Sequence, residues 1–178
     1  MDLLQEFDKK DITYLVIVSP EYYFKTNSEI LRIFCNTSHM FGIYVTLGKP
    51  YDVLMRQFYA EGIDVSKLFF IDAVSKKEEK PNNAIFVNGP SSLTELSISI
   101  SQVIQMAPKE NTFLFFDSIS TLLLYNNADI IIKFIHFLTA KLSEWKLAGI
   151  FISLDIGEDK RVIIQISQFC GKMIKAGV

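Results

Sequence analysis

The chain has 178 residues, which is enough for one domain of ordinary size with a substantial buried core. Charged residues make up 21% of the sequence and the formal net charge is −2, so the composition argues against nucleic acid as a partner. The hydrophobic fraction of 49% favours strands that are buried on both faces.

Short apolar runs alternate with amphipathic stretches along the whole chain, which is the pattern of βαβ units and a parallel sheet. We therefore expect an α/β fold, a three-layer sandwich with a mostly parallel sheet, built as one domain over residues 1–178 with its core at about 12–176. The predicted elements are, in chain order, strand 13–19, helix 27–39, strand 43–47, helix 50–61, strand 68–73, strand 84–87, helix 92–106, strand 112–116, helix 128–146, strand 147–154, helix 161–169 and edge strand 172–175.

Local signals refine three of these segments. Residues 74–83 are polar and charged, and we predict a surface loop there. Ser92 and Glu95 have the spacing of a capping box, which predicts a helix start. The helix at 128–146 is apolar over more than the stripe of about 100° that faces a sheet. This surplus predicts either a surface for self-association or a protein partner, or a second side covered by the segment 161–169.

Cysteine, histidine and hydropathy patterns exclude several other classes. Cys35 and Cys170 lie far apart among apolar residues, which is typical of packing residues. His39 and His136 have no Cys or carboxylate partner at ligand spacing, so no metal site is expected. The sequence shows neither a membrane span nor a signal peptide, so we expect a cytoplasmic protein.

The segment between the first strand and the first helix reads SPEYYFKT, residues 19–26. A phosphate loop reads G-x-x-x-x-G-K-[ST] at this place. Ser19 and Phe24 stand where the two glycines belong, whereas Lys25 and Thr26 keep the last two positions. Thr26 and Glu29 also have capping-box spacing. Thr26 therefore either caps the following helix, with Lys25 as a solvated residue before it, or the pair Lys25–Thr26 keeps a residual role in binding an anion or nucleotide.

Two later segments carry the rest of the pattern. The stretch 44–73 holds Gly48 and Lys49 after the second strand, then a "GID" turn and the run "FIDA". The stretch FLFFDSIS, residues 113–120, is an apolar strand that ends at Asp117 and continues with Ser118.

Together, and in this order, the three segments resemble the KaiC branch of the RecA-type P-loop ATPases, a group abundant in archaea. The resemblance implies that Asp117 stands at the Walker B position, whose aspartate holds Mg²⁺ through water. It also implies that Gly48 and Lys49 replace an acidic pair that activates the attacking water. Lys25, Thr26, Asp117 and Ser118 are then a vestigial nucleotide and Mg²⁺ site, with no catalytic residue assigned.

We expect this loop to bind phosphate poorly and the site to hydrolyse ATP poorly. A phosphate loop aims backbone N–H groups at phosphate oxygens, and its glycines permit a close approach. Pro20 has no N–H to offer, and the aromatic run 22–24 is predicted to fill the phosphate volume. The missing carboxylate removes a group that typically contributes about 10²–10⁴-fold to rate. Asp117 is then expected to cap the turn at Ser118.

The resemblance therefore predicts a pseudo-ATPase domain without a required cofactor, which acts as a protein-interaction or regulatory module or as a homo-oligomer. Two alternatives stay open: a weak ATP·Mg²⁺ binder that uses Lys25, Thr26 and Asp117, and a sensory domain with another ligand in the former nucleotide cleft. A phosphoacceptor role for Asp72, as in receiver domains, has less support because Ser19 and Pro20 replace the acidic pair such domains need.

Overall fold

The computed structural model describes residues 3–76, 81–157 and 160–177 of the chain. It contains a seven-stranded sheet in the order β4-β3-β2-β5-β6-β1-β7, and every neighbouring pair runs parallel. The strands are β1 Thr13–Val18, β2 Phe41–Thr46, β3 Leu68–Asp72, β4 Ala84–Phe86, β5 Thr112–Asp117, β6 Ala148–Leu154 and β7 Lys172–Ala176. The predicted strands are therefore confirmed to within one or two residues at each end.

Helices cover both faces of this sheet. They are α1 Leu3–Glu6, α2 Tyr23–Leu31, α3 Tyr51–Ala60, α4 Leu93–Met106, α5 Ile119–Leu123, α6 Ala128–Glu144 and α7 Lys160–Ser167. One apolar core lies between the sheet and α1, α2 and α3, and a second lies between the sheet and α4, α5, α6 and α7. The predicted three-layer α/β sandwich is confirmed.

The strands are apolar on both faces because both faces are covered. All six residues of β1 and all six of β5 are buried, as expected for the inner strands of a parallel sheet. Gly42 in β2 leaves room for a crossing ring, since a Cβ built there would lie 2.5 Å from the Phe113 side chain. Parallel strands end on the same side, so the residues that follow β1, β2 and β5 share one edge.

The first long helix differs from its prediction. A single 3-10 turn, Pro20–Tyr22, follows β1, and α2 begins at Tyr23 rather than at residue 27. After Leu31 the helix continues as a π-helical segment, Arg32–Thr37. The capping box predicted for Thr26 and Glu29 is wrong, because Thr26 lies inside α2, whose N-cap is Tyr22.

The second predicted capping box is also incomplete. α4 does begin directly after Ser92, but the Ser92 side chain accepts no capping hydrogen bond. Glu95 instead accepts from the backbone N and the side-chain Nδ2 of Asn88. This carboxylate therefore fastens the loop before the helix to its first turn.

The segment 161–169 covers part of the apolar surplus predicted for the helix at 128–146, while the alternative of a surface for self-association or a protein partner stays a prediction. α7 packs against α6, with Arg161 3.7 Å from Asp129 and the His136 ring 4.4 Å from the Phe169 ring. Ile130 and Phe137 nevertheless stay 53% and 44% exposed. The neighbouring helix thus covers only part of the surplus.

Part of the predicted surface loop at 74–83 cannot be compared, because residues 77–80 lie outside the described residues. Within the described residues, no helix is both long and apolar enough to cross a membrane.

Candidate functional site

Asp117 lies at the carboxyl end of β5, in the middle of the sheet edge to which the phosphate-loop resemblance points. It is 4% exposed. Its Oδ1 accepts a hydrogen bond from the Tyr23 hydroxyl, and its Oδ2 accepts one from the Tyr44 hydroxyl at 2.5 Å. Three side chains from β5, β2 and α2 thus form one polar network, which we call the Asp117 cluster. Asn27, one helical turn after Tyr23, is buried, and its Oδ1 has no hydrogen-bond partner among the described residues.

Burial shifts the pKa of Asp117 in one direction, and its hydrogen bonds and a nearby positive charge shift it in the other. Burial raises the pKa of Asp117 above its ordinary value, while the hydrogen bonds from Tyr23 and Tyr44 and the positive charge of Lys49 oppose that rise. Burial and the neighbouring carboxylate raise the pKa of both Tyr23 and Tyr44. Both phenols therefore stay protonated and act as donors to the carboxylate.

The expected capping role of Asp117 belongs to its neighbour instead. Ser118 is the N-cap of α5, and its Oγ accepts from the backbone N of Thr121 at 3.2 Å. Asp117 receives the two tyrosines, so the interpretation of Asp117 as the cap of this turn is wrong. The sequence held no local signal for this arrangement, since Tyr23 lies 94 positions away.

Hydrogen bonds within the chain hold the first residues of the segment 19–26, which the resemblance compares with a phosphate loop. The backbone N–H groups of Tyr22 and Tyr23 donate to the carbonyls of Ser19 and Pro20. The Ser19 hydroxyl donates to the carbonyl of Gly177 at 2.9 Å, next to the end of β7. A Cβ built on Gly177 would lie 2.7 Å from the Tyr22 side chain, so this glycine allows the turn to pack closely. The hydroxyl of Ser19 and the backbone N–H groups of Tyr22 and Tyr23 are therefore all bonded to carbonyl groups of the same chain.

Lys49, which stands where the resemblance expects a carboxylate, points back at the same loop. Its Nζ lies 5.1 Å from the centroid of the Phe24 ring and 5.9 Å from that of Tyr23. It also donates to Oε1 of Gln57 at 3.5 Å. The ammonium group therefore lies within cation–π range of two aromatic rings of the segment 19–26.

Lys25 and Thr26 occupy a different surface. Tyr22, Lys25, Thr26 and Glu29 follow one another at helical spacing, and they line a cleft of about 350 Å³ with Leu3 and residues 175–177. Asp117 does not line this cleft. Asp117 and Ser118 are absent from the lining of the cleft that contains Lys25 and Thr26.

Asp72, the other buried carboxylate at this edge, is fully occupied by the backbone. Its Oδ2 accepts from the N of Tyr51 at 2.9 Å, and its Oδ1 accepts from the N of Val74 and Ser75 at 2.6 and 2.9 Å. It is 0% exposed. These bonds hold the turn after β3 to the start of α3.

The remaining residue types give no further centre in the described part of the chain. Cys35 is buried and Cys170 half-buried, and both are free thiols. Burial raises the pKa of each thiol to about 12, so both are neutral at physiological pH. Among the described residues, no group of three or more His, Cys, Asp or Glu side chains could hold a metal ion.

Comparisons with known proteins bear on the family and the fold of the chain. A family model described as the KaiC ATPase matches residues 35–175. The fold is similar to that of a KaiC-like protein from the hyperthermophilic archaeon Pyrococcus horikoshii OT3, with a TM-score of 0.69 and 17% identity over 93% of this chain and 71% of that chain. The comparison with curated proteins gives no match.

Proposed function

The chain belongs to the KaiC ATPase family, and we propose that within this family it is a non-catalytic domain, a pseudo-ATPase that acts as a protein-interaction or regulatory module. We further propose that residues 1–178 act as one such domain. The observation that carries the proposal is the hydrogen bond from Tyr23 to Asp117.

This bond uses the Walker B carboxylate for an internal contact. A carboxylate that organises Mg²⁺ must present its oxygens to the ion or to the ion's water shell. In this chain each oxygen accepts a hydrogen bond from a tyrosine hydroxyl. To reach the carboxylate, Mg²⁺ would have to displace the hydroxyl of Tyr23, which belongs to α2. Metal binding would therefore break a hydrogen bond of the folded domain.

The backbone of the loop supports the same conclusion. Phosphate binding needs several backbone N–H groups that point at the ligand. Pro20 has none, and those of Tyr22 and Tyr23 are bonded within the 3-10 turn. The match to the family model begins at residue 35, after this loop, which fits a segment that has lost the family pattern.

The site lacks a group to activate water as well. Lys49 brings a positive charge to the place where the resemblance expects a carboxylate, and a cation cannot act as the base that orients a nucleophilic water. Thr26 is 5% exposed, and the cleft that it lines with Lys25 does not include Asp117. Both observations argue against weak ATP·Mg²⁺ binding through all three residues.

An ATPase assay tests the proposal. Purified protein with saturating ATP·Mg²⁺ should release phosphate no faster than a control without protein. The matched control is Lys25→Ala, which removes the lysine of the phosphate-loop pattern from an exposed position of α2. Turnover by the native chain that disappears in Lys25→Ala would refute the proposal, because a contaminating ATPase would not depend on this lysine.

A further inference from the structure

The strand β7 lies at one edge of the sheet and pairs with β1 alone. Successive residues of a parallel strand turn their backbone N–H and C=O groups alternately to its two sides, so every second residue of β7 turns these groups away from β1. Among the residues that the structure describes, none outside β1 hydrogen-bonds to the backbone of Lys172–Ala176. The opposite edge is the three-residue strand β4, so β7 offers the longer row of free backbone groups.

A cleft lies beside β7 on each face of the sheet. On the face that α7 covers, the cleft has a volume of about 240 Å³ and a mainly apolar lining, in which Ile164 and Met173 are 62% and 48% exposed. On the face that α1 and α2 cover lies the cleft of about 350 Å³ that contains Lys25 and Glu29. Lys175 lines both clefts. We call these two spaces the apolar cleft and the polar cleft.

The residues of β7 already divide between these two faces. Ile174 and Ala176 are buried in the core on the side of α1 and α2, whereas Met173 and Lys175 line the apolar cleft. A strand beside β7 would alternate in the same way, because successive side chains of a strand point to opposite faces of the sheet. Every second side chain of such a strand would reach the apolar cleft, and the others would reach the polar cleft.

The charge of the two clefts selects the kind of strand that fits. Each lining contains two lysines and one carboxylate, and none of these lysines (Lys25, Lys160 and Lys175) forms an ion pair with a described residue. The strand β7 itself contains two lysines and no acidic residue. A second copy of β7 would therefore add positive charge to a positive edge, whereas acidic side chains would complement it.

We propose that β7 pairs with an extended segment of a partner protein in which apolar and acidic residues alternate. The backbone of this segment bonds the free edge of β7, its apolar side chains enter the apolar cleft, and its acidic side chains meet Lys25 and Lys175 in the polar cleft. In this mode of recognition main-chain hydrogen bonds give affinity, and pockets for alternate side chains give specificity. The proposal rests on the proposed function, because it assigns the binding surface of the interaction module.

Fluorescence anisotropy with a labelled peptide tests this proposal on the full chain. The probe is a peptide of alternating valine and glutamate, about as long as β7, and we expect saturable one-to-one binding. Two further forms of the peptide carry N-methyl groups on its odd or on its even residues. The form that loses the donors facing β7 should bind at least about tenfold more weakly, and the other form should bind almost as well as the parent peptide. A peptide of the same composition, with its valines and glutamates in two separate blocks, should also bind more weakly.

Substitutions in the protein locate the site. Lys175→Glu reverses the charge that both clefts share and should raise the dissociation constant at least about tenfold, because it places a like charge beside an acidic ligand. Lys133→Glu is the matched control, since Lys133 is exposed on α6 and lines neither cleft, and it should leave the dissociation constant unaltered. Ile164→Asp, in the apolar cleft, is a second independent variant that should weaken binding if Lys175→Glu does not fold.

Absence of saturable binding would overturn the proposal. Equal binding of the parent peptide and both N-methylated forms would also overturn it, as would equal binding by Lys175→Glu and Lys133→Glu. A dimer of the native chain that the peptide dissociates would assign the edge to a second copy and overturn it as well. ATP turnover measured on the same samples separates the two proposals. Turnover that depends on Lys25 would refute the pseudo-ATPase and leave peptide binding standing, whereas absence of both turnover and peptide binding would do the reverse.

Discussion

Tyr23→Phe removes one oxygen atom from the Asp117 cluster and leaves the ring in place. The Asp117 carboxylate then loses the donor on Oδ1 and keeps the Tyr44 donor on Oδ2. Asp117 is 4% exposed, so water cannot easily replace the missing donor. We expect the variant to fold and to be less stable than the native chain.

The size of the loss follows from the kind of bond. A hydrogen bond to a charged group contributes about 1.5–3 kcal/mol to stability. For a chain of this length, that loss corresponds to a fall in Tm of about 3–12 °C. Tyr22→Phe is the matched control, because the Tyr22 hydroxyl makes no hydrogen bond with the described residues. The control should change the free energy of unfolding by less than about 0.5 kcal/mol.

The effect of Tyr23→Phe should also depend on pH. The pKa of Asp117 is raised in the folded chain above the ordinary value of 3.8, so the folded state takes up its proton more readily than the unfolded state. This carboxyl therefore makes folding less favourable as pH rises from 3.8 through its folded pKa. Loss of the Tyr23 hydrogen bond raises the folded pKa further, so the variant should lose more stability than the native chain as pH rises.

Chemical denaturation monitored by circular dichroism between pH 4 and pH 8 measures this difference directly. We expect Tyr23→Phe to be destabilised fully at pH 8 and by about 1 kcal/mol or less at the acid end, where a neutral carboxyl loses only a neutral hydrogen bond. If Tyr23→Phe and Tyr22→Phe have the same stability at pH 8, or if the difference grows towards acid pH, the account of the Asp117 cluster is wrong.

Further changes test other contacts of the fold by the same denaturation measurement. Asp117→Asn should flatten the dependence of stability on pH between 4 and 8, and a variant with the native slope would show that another group titrates there. Asp72→Ala leaves three backbone N–H groups without their acceptor and should cost about 3 kcal/mol or more, whereas the exposed Asp155→Ala should change little. Gly42→Ala places a Cβ 2.5 Å from the Phe113 side chain and should lower the free energy of unfolding by about 1–3 kcal/mol. Gly48→Ala is its control, because a Cβ there lies 3.6 Å from its nearest atom. Equal losses of stability in the two variants would contradict the packing argument.

The strands were predictable from sequence because each one is a short apolar run buried on both faces. The helix start at Tyr23 was not, since the comparison with a phosphate loop predicted a longer loop before the helix. α5 was missed because its five residues follow β5 directly and extend the same apolar run. The two capping boxes had the right spacing but lacked the expected bonds, because in one the serine is unused and in the other the helix begins earlier.

Half of the candidate site was visible in the sequence and half was not. Asp117 ends an apolar strand, and Lys49 and the altered loop stand at recognisable positions in the chain. The contact between Tyr23 and Asp117 depends on the order of strands in the sheet and on the helical phase of α2, which places Tyr23 and Asn27 on one face and Lys25 and Thr26 on another. No local sequence pattern predicts this helical phase, because the phase depends on the residue at which α2 begins. The sequence of the loop before α2 changes that starting residue.

Calorimetric titration of the native chain with ATP·Mg²⁺ tests the central claim most directly, since it measures binding without requiring turnover. The Asp117 cluster and the internally bonded loop predict no saturable heat at millimolar nucleotide, and no difference between the native chain and Lys25→Ala. One-to-one binding that is lost in both Lys25→Ala and Asp117→Ala would show that the loop opens to admit a nucleotide. That result would contradict the account of a site closed by its own tyrosine.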